Sequence, residues 1–358
     1  MVFDSPEMNA LRIKFGGELN HRVPDIVFLD RYDGYKKERA AIEKLVSSVS
    51  ISKQNDWLGR LISPDHQQHV GAWFEIMLFE WLKQNFEVKV EPDINGKHPD
   101  FLIEANANPV LIESIAFLYS PDELLERLIS SEFTYLLETI EKPYAIDIHA
   151  IKYGSSLNRK DFLSQVMIWL DNTREQPFHY EDMFGNIMDL TIAYETKLKS
   201  VGVLIGGDVQ EIDTDLVKKP LLRKIKQRQE LKEINIPYVI ALYPESWHYD
   251  ADQVIDAWFG KPQTVIDIHS GKILREQNDL SGVTFHRRRI HHRGISGILV
   301  FKRTAYPYDG NQILNSWYIQ NPYALHPINP DIFKVLGRFV VVSSDPPHYK
   351  MDWIGTRP

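Results

Sequence analysis

Pro99-Asp100-Phe101-Leu102-Ile103-Glu104, followed after a short break by Val110-Leu111-Ile112-Glu113-Ser114-Ile115-Ala116, is the stretch whose reading decides the fold. Both runs have the apolar, branched character of strands, and Asn106-Ala107-Asn108-Pro109 between them supplies turn chemistry. Side chains alternate along a strand, so Leu111, Glu113 and Ile115 share one face while Ile112 and Ser114 take the other. Asp100 opens the first strand and Glu113 stands near the middle of the second. Adjacent strands lie ~4.8 Å apart, so two carboxylates at matching height on one face can share a divalent cation. Oxygen donors of this kind suit magnesium or manganese.

Upstream, Phe86 to Val90 reads as a further strand and Pro92 to Lys97 as a turn, which makes a three-stranded meander. Ahead of the meander, residues 66–84 form a predicted helix, because Val70, Trp73, Phe74, Met77, Leu78 and Trp81 recur at spacings of three and four. Ala72, Ile76 and Phe79 fill its other side, so this helix is expected to be buried nearly all round, and its acids Glu75 and Glu80 need partners or a task. Downstream, a charged helix over Leu216 to Glu233 feeds the apolar run Tyr238-Val239-Ile240-Ala241-Leu242. A helix delivering a buried strand points to an α/β fold with a mixed sheet flanked by helices.

The 358 residues exceed what one core usually holds, which leaves room for additions to a core. Cysteine is absent, which removes disulfides, thiol nucleophiles and Cys-based zinc sites. There is no phosphate-binding Gly-x-x-x-x-Gly-Lys loop, no Gly-x-Ser-x-Gly elbow and no His-Glu-x-x-His, so nucleotide-driven and serine-hydrolase chemistry are disfavoured. His66 with His69, or His286 with His291 and His292, are weak zinc candidates. No apolar run is long enough for a membrane span, and the expectation is a cytoplasmic protein.

The order of these elements, a helix containing Gly71-Ala72-Trp73-Phe74-Glu75, a strand, Pro99-Asp100-Phe101 and then Leu111-Ile112-Glu113-Ser114-Ile115, resembles the core of the PD-(D/E)XK nuclease superfamily. The resemblance implies a restriction-endonuclease-like fold and a magnesium- or manganese-dependent cut of phosphodiester bonds, in DNA rather than RNA, with a setting in prokaryotic restriction or phage defence. Asp100 and Glu113 would be metal ligands and Glu75 an auxiliary ligand or base. The superfamily's lysine, two places after the second acid, is replaced here by Ile115. Lys97, Lys224 and Lys226 are the candidates to supply that cation from another element. On this reading residues 1–65 are an N-terminal segment, 66–245 a core with an insertion at about 117–215, and 246–358 a C-terminal α+β extension.

The formal net charge is −8, yet His286-Arg287-Arg288-Arg289-Ile290-His291-His292-Arg293 concentrates cations. Arg287, Arg288, Arg289 and Arg293 are the candidate nucleic-acid contacts, because phosphates favour clustered guanidinium groups. Competing readings stay open: a nuclease-like fold without cleavage that binds nucleic acid or a protein, a structural α/β protein whose acids are surface residues, and a Glu75 that is only a partly buried acid paired with Lys or Arg; the oligomeric state is open too, a homodimer among the options.

Overall fold

The computed structural model describes residues 2–14, 25–31, 36–63, 65–105, 108–117, 129, 132–134, 136–152, 154–172, 176–195, 201–205, 214–229, 235–245, 249–266, 273–278, 281–286, 289–302, 315–345 and 348–355. The chain forms two compact units: residues 1–13, 25–118 and 212–358, and residues 14–24 with 119–211.

The first unit is built on an eight-stranded mixed sheet. Strands β1 (Glu87–Val90), β2 (Phe101–Ala105) and β3 (Asn108–Phe117) form the expected antiparallel meander. The turn before β2 closes on Asn95 and Gly96, both at positive φ (54° and 75°), with Ile94 and Lys97 exchanging backbone hydrogen bonds. That is the backbone twist a two-residue hairpin needs. β8 (Tyr238–Pro244), buried along its whole length, runs parallel to β3 on one side and to β13 (Gly297–Lys302) on the other. β14 (Asn315–Gln320), β15 (Gly337–Asp345) and β16 (His348–Ile354) complete the sheet. Residues 246–358 therefore extend the same sheet as the meander. The strand β14 has no counterpart in the sequence reading, because its short buried run Trp317-Tyr318-Ile319 shows no alternation from which a strand could be read.

Helix α5 (His66–Asn85) covers one face of this sheet. Asp65 caps it, its side chain accepting from the Gln67 N–H at 2.9 Å. Phe79 stacks on Phe101 with ring centroids 6.1 Å apart, and Phe74 stacks on Tyr243 at 5.3 Å. Its outer side is covered in turn by α3 (Lys36–Val46) and α4 (Ile51–Leu61), where Trp57 meets Phe79 and the Trp73 indole N–H donates to Glu38 at 2.7 Å. A helix between a sheet and other helices has no solvent face, which is why its sequence is apolar all round. Emptying the Phe74 site with Phe74→Ala should cost about 3–5 kcal/mol.

The opposite face of the sheet is covered by α7 (Asp215–Gln229) and α8 (Ala251–Phe259). Val217, Leu221 and Ile225 of α7 share one core cluster with Leu111, Ile115, Tyr238 and Ile240. Glu113, alternating with Leu111 and Ile115, thus projects toward α7 from the middle of an apolar face.

The second unit has its own sheet, in the order β5 (Phe178–Glu181), β6 (Ile187–Glu195), β4 (Tyr144–Lys152), β7 (Gly202–Ile205), with α6 (Arg159–Asn172). Phe133, Phe162 and Tyr180 meet edge to face at its centre, with centroid distances of 4.7–6.0 Å. A side chain at Gly154 would collide with the Phe184 carbonyl, 2.2 Å from where a Cβ would sit, so only glycine fits this turn. Among the described residues, no helix is long and apolar enough to cross a membrane.

Candidate functional site

Pairing of Phe101 with Ile112 sets Asp100, just before β2, beside Glu113 on β3. One Asp100 oxygen, Oδ2, accepts from the Ser114 backbone N–H at 2.7 Å and from the Ser114 hydroxyl at 2.6 Å, which fixes the carboxylate's orientation. The third member comes from α7. Lys224 donates from Nζ to Glu113 Oε2 at 2.7 Å and stands 3.9 Å from Asp100 Oδ2. The Lys224 and Glu113 side chains are only 13% and 11% exposed, so water screens the group weakly.

Burial, reinforced by the Asp100 charge, pushes the Glu113 carboxyl up to about 7 against the opposing pull of Lys224. Burial works to lower the Lys224 pKa, but the Asp100 and Glu113 carboxylates outweigh it and hold the ammonium above the ordinary lysine value. Glu113 can therefore exchange a proton near neutrality while Lys224 stays charged. Shifts of this kind, from desolvation plus a specific charge partner, are typical of functional sites.

Glu75 lies in a different set of bonds. Its carboxylate meets Lys53 at 2.5 Å and Arg60 at 2.6 Å, both from α4, and Asp56 joins the same two cations at 3.2 and 2.7 Å. Lys53 also reaches Glu91 at 2.8 Å. Glu91 has a left-handed backbone (φ 46°), and its N–H donates to the Asp100 carbonyl at 3.0 Å, so this ionic network touches the chain that carries Asp100. The Glu75 charge is also felt at Lys224.

Of the three candidate lysines, only Lys224 is brought to the acidic pair. Lys97 is exposed beyond its hairpin turn, and Lys226 is exposed two positions after Lys224, on another side of α7. Ile115 is packed in the core cluster. Arg287 and Arg288 lie outside the described residues, and of Arg289 only the backbone, in β12 (Arg289–Ile290), is described. Arg293 is exposed, with its Nε donating to the Tyr323 carbonyl at 3.1 Å.

Among the described residues no group of three or more His, Asp or Glu side chains is placed to hold a metal ion. The donor set at this site is two carboxylates, one of them able to shed a proton near neutrality. That fits a hydrated magnesium or manganese ion, which keeps several waters and binds through one or two carboxylates. It does not make a closed three-carboxylate cage, because Glu75 is committed to Lys53 and Arg60. Sequence reasoning missed Ser114 as the residue that orients Asp100, and Lys53 and Arg60 as the partners of Glu75. No family model matches the chain, and no curated protein or solved structure matches it either.

Proposed function

We propose that the chain is a divalent-metal-dependent phosphodiesterase of the restriction-endonuclease-like fold, acting on DNA, with Asp100 and Glu113 as metal ligands and Lys224 in place of the lysine missing at Ile115. The observation that carries this reading is Lys224 Nζ at 2.7 Å from Glu113 and 3.9 Å from Asp100. A single cation delivered by a neighbouring helix to two strand carboxylates is the charge arrangement that hydrolysis at phosphorus calls for. Magnesium or manganese, when bound, supplies Lewis acidity and a more acidic water. Asp100 and Glu113 would hold the ion, and the Ser114 N–H and hydroxyl fix the Asp100 carboxylate. Lys224, held above its ordinary pKa, brings fixed positive charge to the place where negative charge grows on the attacked phosphate. Glu113, near 7, must release its proton to bind, which ties metal affinity to pH.

The test is nicking of supercoiled plasmid and degradation of single- and double-stranded DNA and RNA with Mg²⁺ or Mn²⁺. Cleavage by the wild type, lost in EDTA and in Glu113→Ala, supports the reading. An inert wild type on every substrate with either ion contradicts it. The double pairing of Glu75 favours a second reading, a nuclease-like fold that binds nucleic acid or a protein without cutting. Binding without cleavage is its signature.

A further inference from the structure

On the α7 side of the first unit, a cavity of about 420 Å³ opens between the end of α7 and the loop His291 to Ile295. Its size falls in the range of small-ligand sites, about 300–1,000 Å³. Arg228 and Arg293 line it together with His291 and His292, and no described lining residue is a carboxylate. In a chain of formal net charge −8 this is a local concentration of donors suited to an anion. Arg228 is 6% exposed, and its guanidinium lies over the Tyr238 ring at 5.5 Å. Burial lowers its pKa.

The loop is held rather than slack. His291 N–H donates to the Thr284 carbonyl at 2.8 Å, Leu325 N–H to the Arg293 carbonyl at 2.7 Å, and the Asn321 side chain to the Ile295 carbonyl at 2.7 Å. His292 sits in the left-handed region (φ 59°), a strained conformation that the surrounding bonds enforce. Ile225, Ile295 and Leu325 give the rest of the wall an apolar part, beside Gln229 and His326. Phosphate donors beside an apolar wall match one ligand chemistry, a phosphate carrying a nucleobase.

The place of the cavity links it to the acidic site. Arg228 follows Lys224 by one helical turn, a rise of about 6 Å. Tyr238 feels the charges of Arg228 and of the Glu113 and Asp100 carboxylates alike. We infer that this cavity binds one nucleotide unit of the strand attacked at the Asp100–Glu113 site, its phosphate on Arg228 and Arg293 and its base against Ile225 and Ile295, an inference that rests on the phosphodiesterase reading for the identity of the strand.

The experiment is calorimetric titration of the full chain, in EDTA, with a deoxynucleoside 5′-monophosphate, the matching nucleoside and inorganic phosphate. The monophosphate should bind at least about tenfold more tightly than either fragment. Losing one charge-assisted hydrogen bond, about 1.5–3 kcal/mol, predicts that Arg293→Ala, an exposed site, weakens it about 10- to 100-fold. Arg228→Lys should weaken it too, because the ammonium keeps the charge and loses the planar fork. Equal binding of nucleoside and monophosphate, inorganic phosphate binding as tightly as the monophosphate, no binding, or an Arg293→Ala affinity equal to wild type would each overturn the pocket. The two readings fail separately. A chain that cuts DNA in a Glu113-dependent way but binds the monophosphate independently of Arg293 contradicts the pocket alone, whereas Arg293-dependent binding in a chain that cuts nothing upholds the pocket and contradicts the phosphodiesterase.

Discussion

Replacing Lys224 by methionine keeps the unbranched apolar stem out to Cε while removing the ammonium 2.7 Å from Glu113 and 3.9 Å from Asp100. At an effective dielectric of about 20 these contacts amount to roughly 6 and roughly 4 kcal/mol of Coulomb attraction. Dehydration of the three charged groups offsets most of it, and removing one partner of a buried pair typically costs about 3–5 kcal/mol. With both partners slightly exposed, the lower end, about 3 kcal/mol, is expected near pH 8. The sign with pH follows from Glu113. Its carboxyl in the folded protein sits near 7, above its ordinary 4.5, so between these values the native state holds a proton that the unfolded chain has released. Stability contributed by this group therefore falls as pH rises through that window. Without Lys224 the native carboxyl rises further and the fall is larger. Urea unfolding followed by tryptophan fluorescence should show the gap between wild type and Lys224→Met widening from about pH 5.5 to about pH 8. A gap equal at the two values, or none at pH 8, would refute the assignment of Lys224 as the partner of a raised Glu113.

Mn²⁺ binding, measured by calorimetry, should be lost or much weakened in Asp100→Ala and Glu113→Ala, and equal binding by all three proteins removes these residues from the site. Affinity in the wild type should climb as pH rises toward 7 and level off above it, because the ion must displace the Glu113 proton; a flat profile contradicts this. Ile115→Lys, which restores the spacing of the superfamily motif, should lower the unfolding midpoint and not raise cleavage, since position 115 lies in the core cluster and Lys224 already meets the acids. A stable variant with faster cleavage would reverse the roles of the two positions.

The meander and the buried helix were legible from local period and turn residues, and the strand at Tyr238 from its unbroken apolar run, though its parallel pairing was not. The pairing of Asp100 with Glu113 followed from strand alternation and a short loop. The lysine was harder, since Lys97, Lys224 and Lys226 are equivalent as a list of residue types. A signal existed in α7, where Val217, Leu221, Lys224 and Arg228 run at spacings of four, three and four along the buried stripe, while Lys226 falls off it. The fate of Glu75 was not legible, because Lys53 and Arg60 meet it only through the packing of α4 on α5, a contact between helices that no sequence period encodes. Ser114 was assigned to the face opposite Glu113, and the alternation is right. Its backbone N–H and short hydroxyl nevertheless reach around the strand edge to Asp100.

Single-turnover cleavage of plasmid DNA at saturating Mn²⁺, comparing wild type with Lys224→Met, tests the central claim most directly. Loss of a positioned cation should slow the chemical step by about 10²–10⁴-fold while Mn²⁺ affinity, measured on the same preparations, is retained or improved. A Lys224→Met protein that cuts as fast as wild type contradicts the account.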